Sequence, residues 1–504
     1  MRNFCFGLVL VLFVSLVTPG MAADPDARSA YIVRFKAVAP LPEQGCHEAI
    51  VSLLQNTCKG NLPALKTVCK NPNLISLWIV NGAVIQATTA EVKEIRKLSN
   101  VASVKPSRYR IWVSPDIERS AVTPFDPKSV QWSIQKVNAP EVWSDLKIDG
   151  TGIVVGHLDT GIDAEHPALA GKVLAFRDFT AEPQTAPYDD QGHGTHTAGT
   201  IAGSDGVGVA PGVKLIVGKV FDKNGGAEDA PLLQAMQWVM DPDGVPETND
   251  GPRLVSNSWG SDTTTDRTFW DAVQAWVSAG IVPVFAAGNN GPSGKVGTPA
   301  GYPNAWAVAA TTKSDGLAYF SSVGPSVWDG ITLVKPDIAA PGQSVISCAV
   351  GGGLVSNSGT SMACPHVAGL VALIRQADPA LTIDQVRAVA ESTAVDLGNP
   401  GKDTKFGSGR FNALACITKV LQGSSLHASY QAYESSLATE RALIGVQAFS
   451  PLAGPLARSI IQRTCALDEG EIRELTDRLR TGSVTVKSLF REALRVRQAG
   501  VLNK

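Results

Sequence analysis

The sequence predicts an α/β protein in which a small α+β domain precedes a doubly wound, mostly parallel sheet. Between residues 130 and 420, short apolar runs typical of buried parallel strands alternate with helical stretches. The 48 glycines of the 504-residue chain indicate many tight turns between these elements. The clearest strand runs are 153–158, 215–220, 254–258 and 282–287, and helices are predicted over 230–240 and 268–279.

The small domain is assigned to residues 30–106. Residues 31–35 alternate in polarity in the manner of a strand, and residues 90–98 have the spacing of a helix. Residues 101–104 return to a strand pattern. The order strand, helix, strand, helix, strand fits a compact α+β module.

A stretch rich in proline and polar residues runs from Ser114 to Lys128. This composition predicts an exposed, cleavable linker, which we assign to residues 107–129. The large domain then occupies residues 130–422. A chain of 504 residues has room for these units, since a domain commonly takes about 100–200 residues.

The two ends of the chain differ from the rest. Residues 1–23 place Arg2 before an apolar stretch and end in small residues, which is the layout of a cleavable signal peptide. The stretch is shorter than the ~20 residues that span a bilayer, and an uncleaved anchor is the alternative interpretation. We therefore expect secretion to the extracellular space or the periplasm, without stable membrane insertion. Residues 423–504 are predicted to form a helical C-terminal extension.

The charge balance argues against a polyanionic partner. The formal net charge is -2 and no basic run is dense enough to neutralise several phosphates, so no nucleic-acid binding is expected. Export makes disulfides feasible among the eight cysteines. Disulfides and buried free thiols are both open for the later cysteines, and Cys364 is interpreted as packed.

Three glycine-flanked clusters place a reactive side chain at the end of a strand or the start of a helix. Asp159 follows the strand 153–158, His193 begins a helix, and Ser361 precedes another helix. A serine hydroxyl becomes a good nucleophile when an imidazole takes its proton, and a carboxylate then holds the imidazole in one tautomer. Together the three residues predict a nucleophilic triad. Singly, each has a structural explanation as a turn former, polar contact or helix cap.

A fourth cluster, at residues 286–289, completes the pattern. In the chain order Asp, His, Ser, the clusters resemble the signatures of the subtilase family of serine peptidases. The resemblance implies a subtilisin-like fold, serine-type endopeptidase activity, and a catalytic triad of Asp159, His193 and Ser361. It also implies that Asn289 donates to the oxyanion. The residues it implies for substrate binding are Ser258, Trp259, Gly260, Ala286, Ala287, Gly288 and Gly297.

The same resemblance implies roles for the rest of the chain. Residues 30–106 resemble an inhibitor-type propeptide that occupies the active-site cleft until it is removed. The protein would then be a zymogen whose own Ser361 makes the first cut in the linker. Backbone pairing with the substrate implies broad specificity. A small residue at the pocket floor, Gly297, implies a preference for large apolar side chains. Proteins, peptides and the chain's own propeptide are the expected partners.

No metal ligand is assigned and no cofactor is expected to be required. Many subtilases bind calcium through a loop after the histidine helix, but here residues 200–211 are short and Ala168 replaces an expected carboxylate. The usual strong calcium site is therefore expected to be absent. Asp189, Asp190 and the loop 241–250 offer oxygen ligands to a hard cation, with solvated carboxylates as the alternative. The histidines interpreted as packing residues are His157, His166, His196 and His366.

Two other functions are weighed against general protein degradation. A processing protease that cleaves one partner at basic sites would carry acidic pocket residues, and the sequence offers no convincing set. A non-catalytic binding protein on the same fold would usually have lost a triad or oxyanion residue, and here all four are present. Activity against unrelated peptides separates both hypotheses from a broad endopeptidase.

Overall fold

The computed structural model describes residues 27–423, apart from 38–39, 44, 70–72, 114–116 and 127–128. The predicted signal peptide and, except for Gly423, the predicted C-terminal extension lie outside the described residues. Within the described part of the chain, no helix is long and apolar enough to cross a membrane.

An antiparallel sheet with two helices forms the N-terminal unit. Its elements are β1 (Ser29–Phe35), α1 (His47–Val68), β2 (Ile75–Leu77), β3 (Gly82–Ala87), α2 (Thr89–Ile95) and β4 (Val101–Pro106). The strand order is β2-β3-β1-β4. Alternate residues of β1, Val33 and Phe35, enter a core that includes Leu65 of α1. Helix α2 begins at a capping box, in which the side chains of Thr88 and Glu91 each accept a hydrogen bond from the backbone N–H of the other.

A short strand, β5 (Tyr109–Ile111), leads into the large unit. The strands of that unit are β6 (Val154–Asp159), β7 (Val173–Asp178), β8 (Lys214–Lys219), β9 (Gly226–Glu228), β10 (Leu254–Asn257), β11 (Val282–Ala286), β12 (Trp306–Thr311), β13 (Ser326–Trp328), β14 (Ile331–Leu333), β15 (Ile338–Pro341), β16 (Val345–Cys348) and β17 (Leu354–Asn357). Its helices are α3 (Trp132–Lys136), α4 (Ala139–Leu146), α5 (His193–Ala202), α6 (Asp229–Trp238), α7 (Trp270–Ser278), α8 (Thr360–Ala377), α9 (Ile383–Ser392) and α10 (Ala413–Gly423).

A parallel sheet of seven strands lies at the centre of the large unit. Its order is β15-β12-β11-β10-β6-β8-β7, and every neighbouring pair is parallel. The side chains of β11 alternate between two apolar clusters: Val284 packs in the same cluster as Val367 of α8, and Phe285 in the same cluster as Trp276 of α7. Both faces of the sheet are therefore covered, which confirms the predicted α/β fold with a large parallel sheet.

The chain order of the strands reverses beside β6. After β6, the chain builds β7 and β8 on one side of it and then β10, β11 and β12 on the other. In open α/β sheets a crevice forms at such a switch, outside the carboxyl ends of the strands. Asp159 is the last residue of β6 and so lies at this edge.

The segment predicted as an exposed linker is paired with the large unit over much of its described length. Strand β5 pairs antiparallel with β9, and Trp112 and Val113 are buried. Further along, Thr123 exchanges two backbone hydrogen bonds of 2.8 and 2.7 Å with Leu354 of β17. The side chains of residues 118–124 are exposed. The backbone is not free, because its N–H and C=O groups find partners on the large unit.

Candidate active site

The carboxylate of Asp159 and the imidazole of His193 form a direct pair. His193 is the first residue of α5, and its Nδ1 lies 2.7 Å from Asp159 Oδ1. Both side chains are buried. Burial alone would raise the pKa of Asp159, but the charge and hydrogen bond of His193, the charge of His157 and the N–H of Thr160 together outweigh burial and hold this pKa below its usual value. Asp159 is therefore an anion that keeps a proton on His193 Nδ1.

Backbone and hydroxyl donors fix Asp159 in place. The N–H of Thr160 donates to Oδ1 at 2.8 Å, and Thr197 Oγ1 of α5 donates to Oδ2 at 3.2 Å. The two loops approach each other closely at Gly194, where a Cβ atom would lie 2.2 Å from the carbonyl oxygen of Gly161. Glycine after the histidine is thus needed for the aspartate and histidine segments to meet.

Asp189 positions the same two segments and was not predicted as a site residue. Its carboxylate accepts hydrogen bonds of 2.7–2.9 Å from Thr160 Oγ1, Gly192 N, Thr195 N and Thr195 Oγ1. Neither of the predicted roles, cation ligand or solvated loop carboxylate, describes a side chain with these partners. The available signal was an acidic residue just ahead of a helix, where unpaired N–H groups need an acceptor.

Ser361 lies in the first turn of α8, against Ser258. Its Oγ donates to the carbonyl oxygen of Ser258 at 2.9 Å, and Ser258 Oγ donates to the carbonyl oxygen of Ser361 at 2.8 Å. Helices α5 and α8 pack together, so His193 and Ser361 lie in the first turns of neighbouring helices. Because a hydroxyl has one proton, Ser361 must rotate away from Ser258 before it can donate to His193.

Asn289 is oriented by Thr360. Asn289 Oδ1 accepts from the N–H and from the hydroxyl of Thr360, both at 2.9 Å. With the oxygen held, Nδ2 is the end of the amide that faces the turn before Ser361, where a Cβ atom on Gly359 would lie 3.6 Å from it. The predicted oxyanion donor therefore lies beside the residue predicted as nucleophile.

The residues predicted to pair with the substrate backbone contact the N-terminal segment. The N–H of Gly260 donates to the carbonyl oxygen of Trp112 at 3.2 Å. The rings of Trp259 and Trp112 pack edge to face, with centroids 5.8 Å apart. Ser258 contacts Ser361 through two hydrogen bonds. The Ser258–Gly260 segment thus contacts the residue predicted as nucleophile at one end and Trp112, which follows β5, at the other.

The other predicted wall, residues 286–288, contacts the start of α8 through Gly288. Ala286 and Ala287 are buried, and the N–H of Gly288 donates to Thr360 Oγ1 at 3.1 Å. At Gly297 a Cβ atom would lie 1.7 Å from the carbonyl oxygen of Ser261. This close backbone approach explains the glycine by itself. Its role as the floor of the first pocket is still a prediction.

Three cysteines near the C-terminal half of the large unit are buried thiols: Cys348, Cys364 and Cys416. Burial raises the pKa of Cys364 to about 12, and its Sγ contacts the carbonyl oxygen of Asn257 at 3.6 Å. A thiol with such a pKa is unreactive at neutral pH. Cys465 lies outside the described residues.

Three acids of the loop 241–250 converge. Asp241, Asp243 and Asp250 each have a carboxylate oxygen within 4.8 Å of the others. Burial, followed by the charges of Asp250 and Asp243, raises the pKa of Asp241 to about 6. Of the two acidic stretches considered from the sequence, this one has the convergent oxygens.

Two further histidines on α5 and α8 are buried. His196 Nε2 lies 3.0 Å from the carbonyl oxygen of Val345, and His366 Nδ1 lies 2.8 Å from that of Met362. Burial lowers the pKa of His196 to about 3 and the pKa of His366 to about 4. Both are neutral in the folded protein at neutral pH, whereas a histidine in an unfolded chain has a pKa of about 6.5.

We therefore expect the free energy of unfolding to fall as the pH drops below about 6.5. The unfolded chain then binds protons that His196 and His366 exclude when folded, and each histidine costs about 1.4 kcal/mol per pH unit until the pH nears its folded pKa. Denaturant titrations of Ser361→Ala from about pH 7.5 to about pH 5 measure this slope. His366→Gln should reduce the slope of the unfolding free energy against pH by about 1.4 kcal/mol per pH unit, the contribution of one proton. A stability independent of pH over this range would contradict the assignment.

Comparisons with known proteins identify the family. The model of the subtilase family matches residues 150–409. Bacillopeptidase F from Bacillus subtilis (strain 168) is 34% identical over 462 residues, which are 82% of this chain and 31% of that protein. Alkaline elastase YaB from Bacillus sp. (strain YaB) is 39% identical over 420 residues, which are 82% of this chain and 98% of that protein. Subtilisin Savinase from Lederbergia lenta is 38% identical over 293 residues, which are 57% of this chain and 98% of that protein.

The chain thus spans about a third of bacillopeptidase F and almost all of the other two relatives. The matched region 150–409 contains Asp159, His193, Asn289 and Ser361. The resemblance to subtilases that the four short clusters indicated therefore extends over more than half of the chain. This protein belongs to the subtilase family of serine-type endopeptidases.

Proposed function

We propose that Asp159, His193 and Ser361 are the catalytic triad of this endopeptidase. The observation that carries the proposal is the 2.7 Å pair of His193 Nδ1 and Asp159 Oδ1 at the carboxyl edge of the sheet, with Ser361 on the neighbouring helix. Ser361 Oγ attacks the substrate carbonyl while His193 Nε2 takes its proton. The imidazolium gives that proton to the leaving amine, and a water molecule then repeats both steps on the acyl-enzyme.

Asn289 and the start of α8 would stabilise the oxyanion. The amide Nδ2 of Asn289 and the N–H of Ser361 are the proposed donors, and the helix N-terminus favours negative charge. Because Thr360 holds Asn289 Oδ1, the amide needs little reorganisation during the reaction. All of these groups belong to the chain itself. We propose that the chemistry requires no cofactor.

We infer that residues 30–106 act as an inhibitor-type propeptide. In support, β5 follows this unit directly and pairs antiparallel with β9. Trp112 then forms backbone hydrogen bonds to two segments of the large unit. Its N–H donates to Gly225 O at 2.9 Å, and its carbonyl oxygen accepts from Gly260 N. An extended peptide that adds a strand to an enzyme binds in this way. The precursor would therefore block its own cleft until the unit is removed.

We propose that the first cut falls between Val113 and Ile117. On one side, the N–H of Val113 donates to Gly225 O at 3.1 Å. On the other, the chain from Arg119 to Thr123 pairs with β17, which ends four residues before Ser361. The bond presented to Ser361 in the intact chain would lie between these two paired segments.

Broad specificity with apolar preferences is the proposed substrate range. The backbone hydrogen bonds to residues 109–113 accept any sequence. Trp112 is 3% exposed, and its ring packs edge to face against the rings of Trp259 and Phe269, with centroid distances of 5.8 and 5.3 Å. We propose that large apolar side chains are favoured at the Trp112 position and in the first pocket, whose floor is assigned to Gly297.

We also propose that the precursor is exported. The support is the layout of residues 1–23, which ends in Ala22 and Ala23 after a short apolar stretch. N-terminal sequencing of the Ser361→Ala chain recovered outside the cytoplasm of a bacterial host tests this. A first residue near Asp24 is expected, and a chain retained with an intact Met1 would contradict export.

Expressing the full chain with and without Ser361→Ala tests the triad and the self-processing. We expect the unchanged chain to shed its N-terminal unit and digest casein. Ser361→Ala should do neither, since loss of this nucleophile costs about 10⁶-fold in turnover in subtilisin, a family member from which the figure is borrowed. Mass spectrometry locates the cut. Ser392→Ala, an exposed serine of α9, is the matched control and should behave like the unchanged chain.

Each part of the proposal has its own contrary result. Trimming of pure Ser361→Ala at the same bond would rule out self-processing. Labelling of a serine other than Ser361 by a serine-directed phosphonate would contradict the nucleophile assignment. A folded, trimmed chain that spares casein and unrelated peptides would favour a non-catalytic binding protein instead.

A further inference from the structure

Two carboxylates of the large unit clamp one arginine of β5. Arg110 Nη2 donates to Asp229 Oδ1 at 2.5 Å, and Nη1 donates to Asp266 Oδ2 at 2.5 Å. Arg110 Nε adds a bond of 3.1 Å to Asp229 Oδ1. Asp229 is the first residue of α6, whereas Asp266 lies on the loop before α7. Two separate parts of the chain thus converge on one guanidinium group.

The clamp is partly shielded from water. The side chains of Arg110, Asp229 and Asp266 are 26%, 6% and 18% exposed. The guanidinium also lies over the ring of Trp112, 4.3 Å from its centroid. Charge-assisted bonds at such low exposure contribute more than ordinary surface pairs, because solvent screens them less.

Arg110 belongs to the segment that would occupy the substrate cleft. It pairs with Ala227 of β9 in a regular antiparallel register. In an extended chain, side chains two residues apart lie on the same face, and Arg110 and Trp112 do so here. A substrate bound in the same register would place a side chain between Asp229 and Asp266.

Removal of the N-terminal unit would leave the clamp without its cation. Burial raises the pKa of Asp229, the bonds and charge of Arg110 lower it, and the charge of Asp266 raises it again. Two neighbouring carboxylates in this environment are stabilised by a positive charge between them. After removal of the N-terminal unit, this part of the cleft would therefore favour a cationic group.

We propose that Asp229 and Asp266 form a substrate subsite for a cationic side chain, two residues before the one that fills the Trp112 position. The inference rests on the proposed function, since it takes residues 109–113 as an occupant of the cleft. Arginine should be preferred to lysine, because its planar fork can bond two carboxylates at once. The subsite would add a charge preference to a cleft that otherwise selects by backbone and apolar contacts.

Peptides that copy residues 107–120, with Arg, Lys, Ala or Glu at the Arg110 position, test this subsite. For the mature enzyme we expect kcat/KM to fall about 10- to 100-fold from Arg to Ala, and further for Glu, with Lys between Arg and Ala. High salt should reduce the differences in kcat/KM among the four peptides, because it screens the charges. Mass spectrometry of the products checks that all four peptides are cut at the same bond.

A variant pair assigns the preference to these carboxylates. In Asp229→Asn/Asp266→Asn the four peptides should be cut with similar kcat/KM. Asp205→Asn should keep the preference, since Asp205 is exposed and has a φ of 57°, which asparagine tolerates. If the double variant does not fold, the peptide series on the unchanged enzyme still decides.

The possible outcomes distinguish failure of the subsite from failure of the proposed endopeptidase function. Equal kcat/KM for Arg, Ala and Glu peptides, in an enzyme that digests casein, would overturn the subsite and leave the endopeptidase assignment intact. Failure to cut any peptide or casein would overturn the proposed function and the subsite with it.

Discussion

The Asp159→Asn variant is expected to have a kcat about 10⁴-fold below that of the unchanged enzyme, a figure borrowed from other serine peptidases. Asp159 Oδ1 lies 2.7 Å from His193 Nδ1 and keeps the proton on that nitrogen. An asparagine amide can turn its NH2 group toward His193, which favours the tautomer with the proton on Nε2. That tautomer cannot accept a proton from Ser361. Steady-state kinetics on a peptide at neutral pH give kcat and KM separately.

Asp178→Asn is the control for removing a buried carboxylate. Asp178 ends β7, is 7% exposed, and accepts from Thr180, Gln184 and Tyr188. We expect this substitution to lower the melting temperature while kcat changes less than about tenfold, since the hydrogen-bond donors of Asp178 are not members of the triad. A kcat for Asp159→Asn within tenfold of the unchanged value would mean that Asp159 is not the residue that orients His193.

The Asn289→Ala variant should lower kcat by about 10²–10³ and leave KM nearly unchanged, and this range too comes from subtilisin. The ground-state carbonyl gains little from Asn289 Nδ2, whereas the tetrahedral oxyanion gains a full charge-assisted bond. The structure adds a second expectation. Thr360→Val removes one of two bonds to Asn289 Oδ1, and it should lower kcat by less than Asn289→Ala does.

Asn290→Ala is the matched control, because Asn290 is the next residue and its Nδ2 is bonded to Asp262 at 2.7 Å. We expect its kcat to stay within a few-fold of the unchanged value. A rise in KM with unchanged kcat for Asn289→Ala would contradict an oxyanion role and indicate a residue that binds substrate and transition state equally.

Buried elements were predictable from the sequence because local composition decides them. The strand predicted over 282–287 is observed as Val282–Ala286, since an apolar run covered on both faces has few other places in a globular protein. The helices predicted over 230–240 and 268–279 are observed as Asp229–Trp238 and Trp270–Ser278. The differences fall at the ends, where capping and tertiary contacts compete with the periodic pattern.

Features that depend on distant partners were not predictable. In the sequence Asp189 looks like an ordinary acidic residue of a loop, because its hydrogen-bond donor Thr160 lies 29 residues earlier. Residues 109–113 read as the start of a linker, because their pairing partners, Gly225–Glu228 and Gly260, lie more than a hundred residues later. The clamp on Arg110 likewise joins residues 119 and 156 positions apart. Local periodicity contains no information on such pairings.

The chain enters the cleft along β9 and leaves it along β17, where Thr123 and Leu354 share two backbone bonds. Under the proposed cut, the new amino end stays covalently attached to the enzyme and remains paired beside Ser361. A tethered strand competes with free substrate at an effective concentration in the millimolar range. Even after the N-terminal unit has left β9, the full onset of turnover would therefore lag behind bond cleavage until the strand along β17 detaches. In that interval, short peptides that reach only the β9 side would be hydrolysed before long proteins that need both sides.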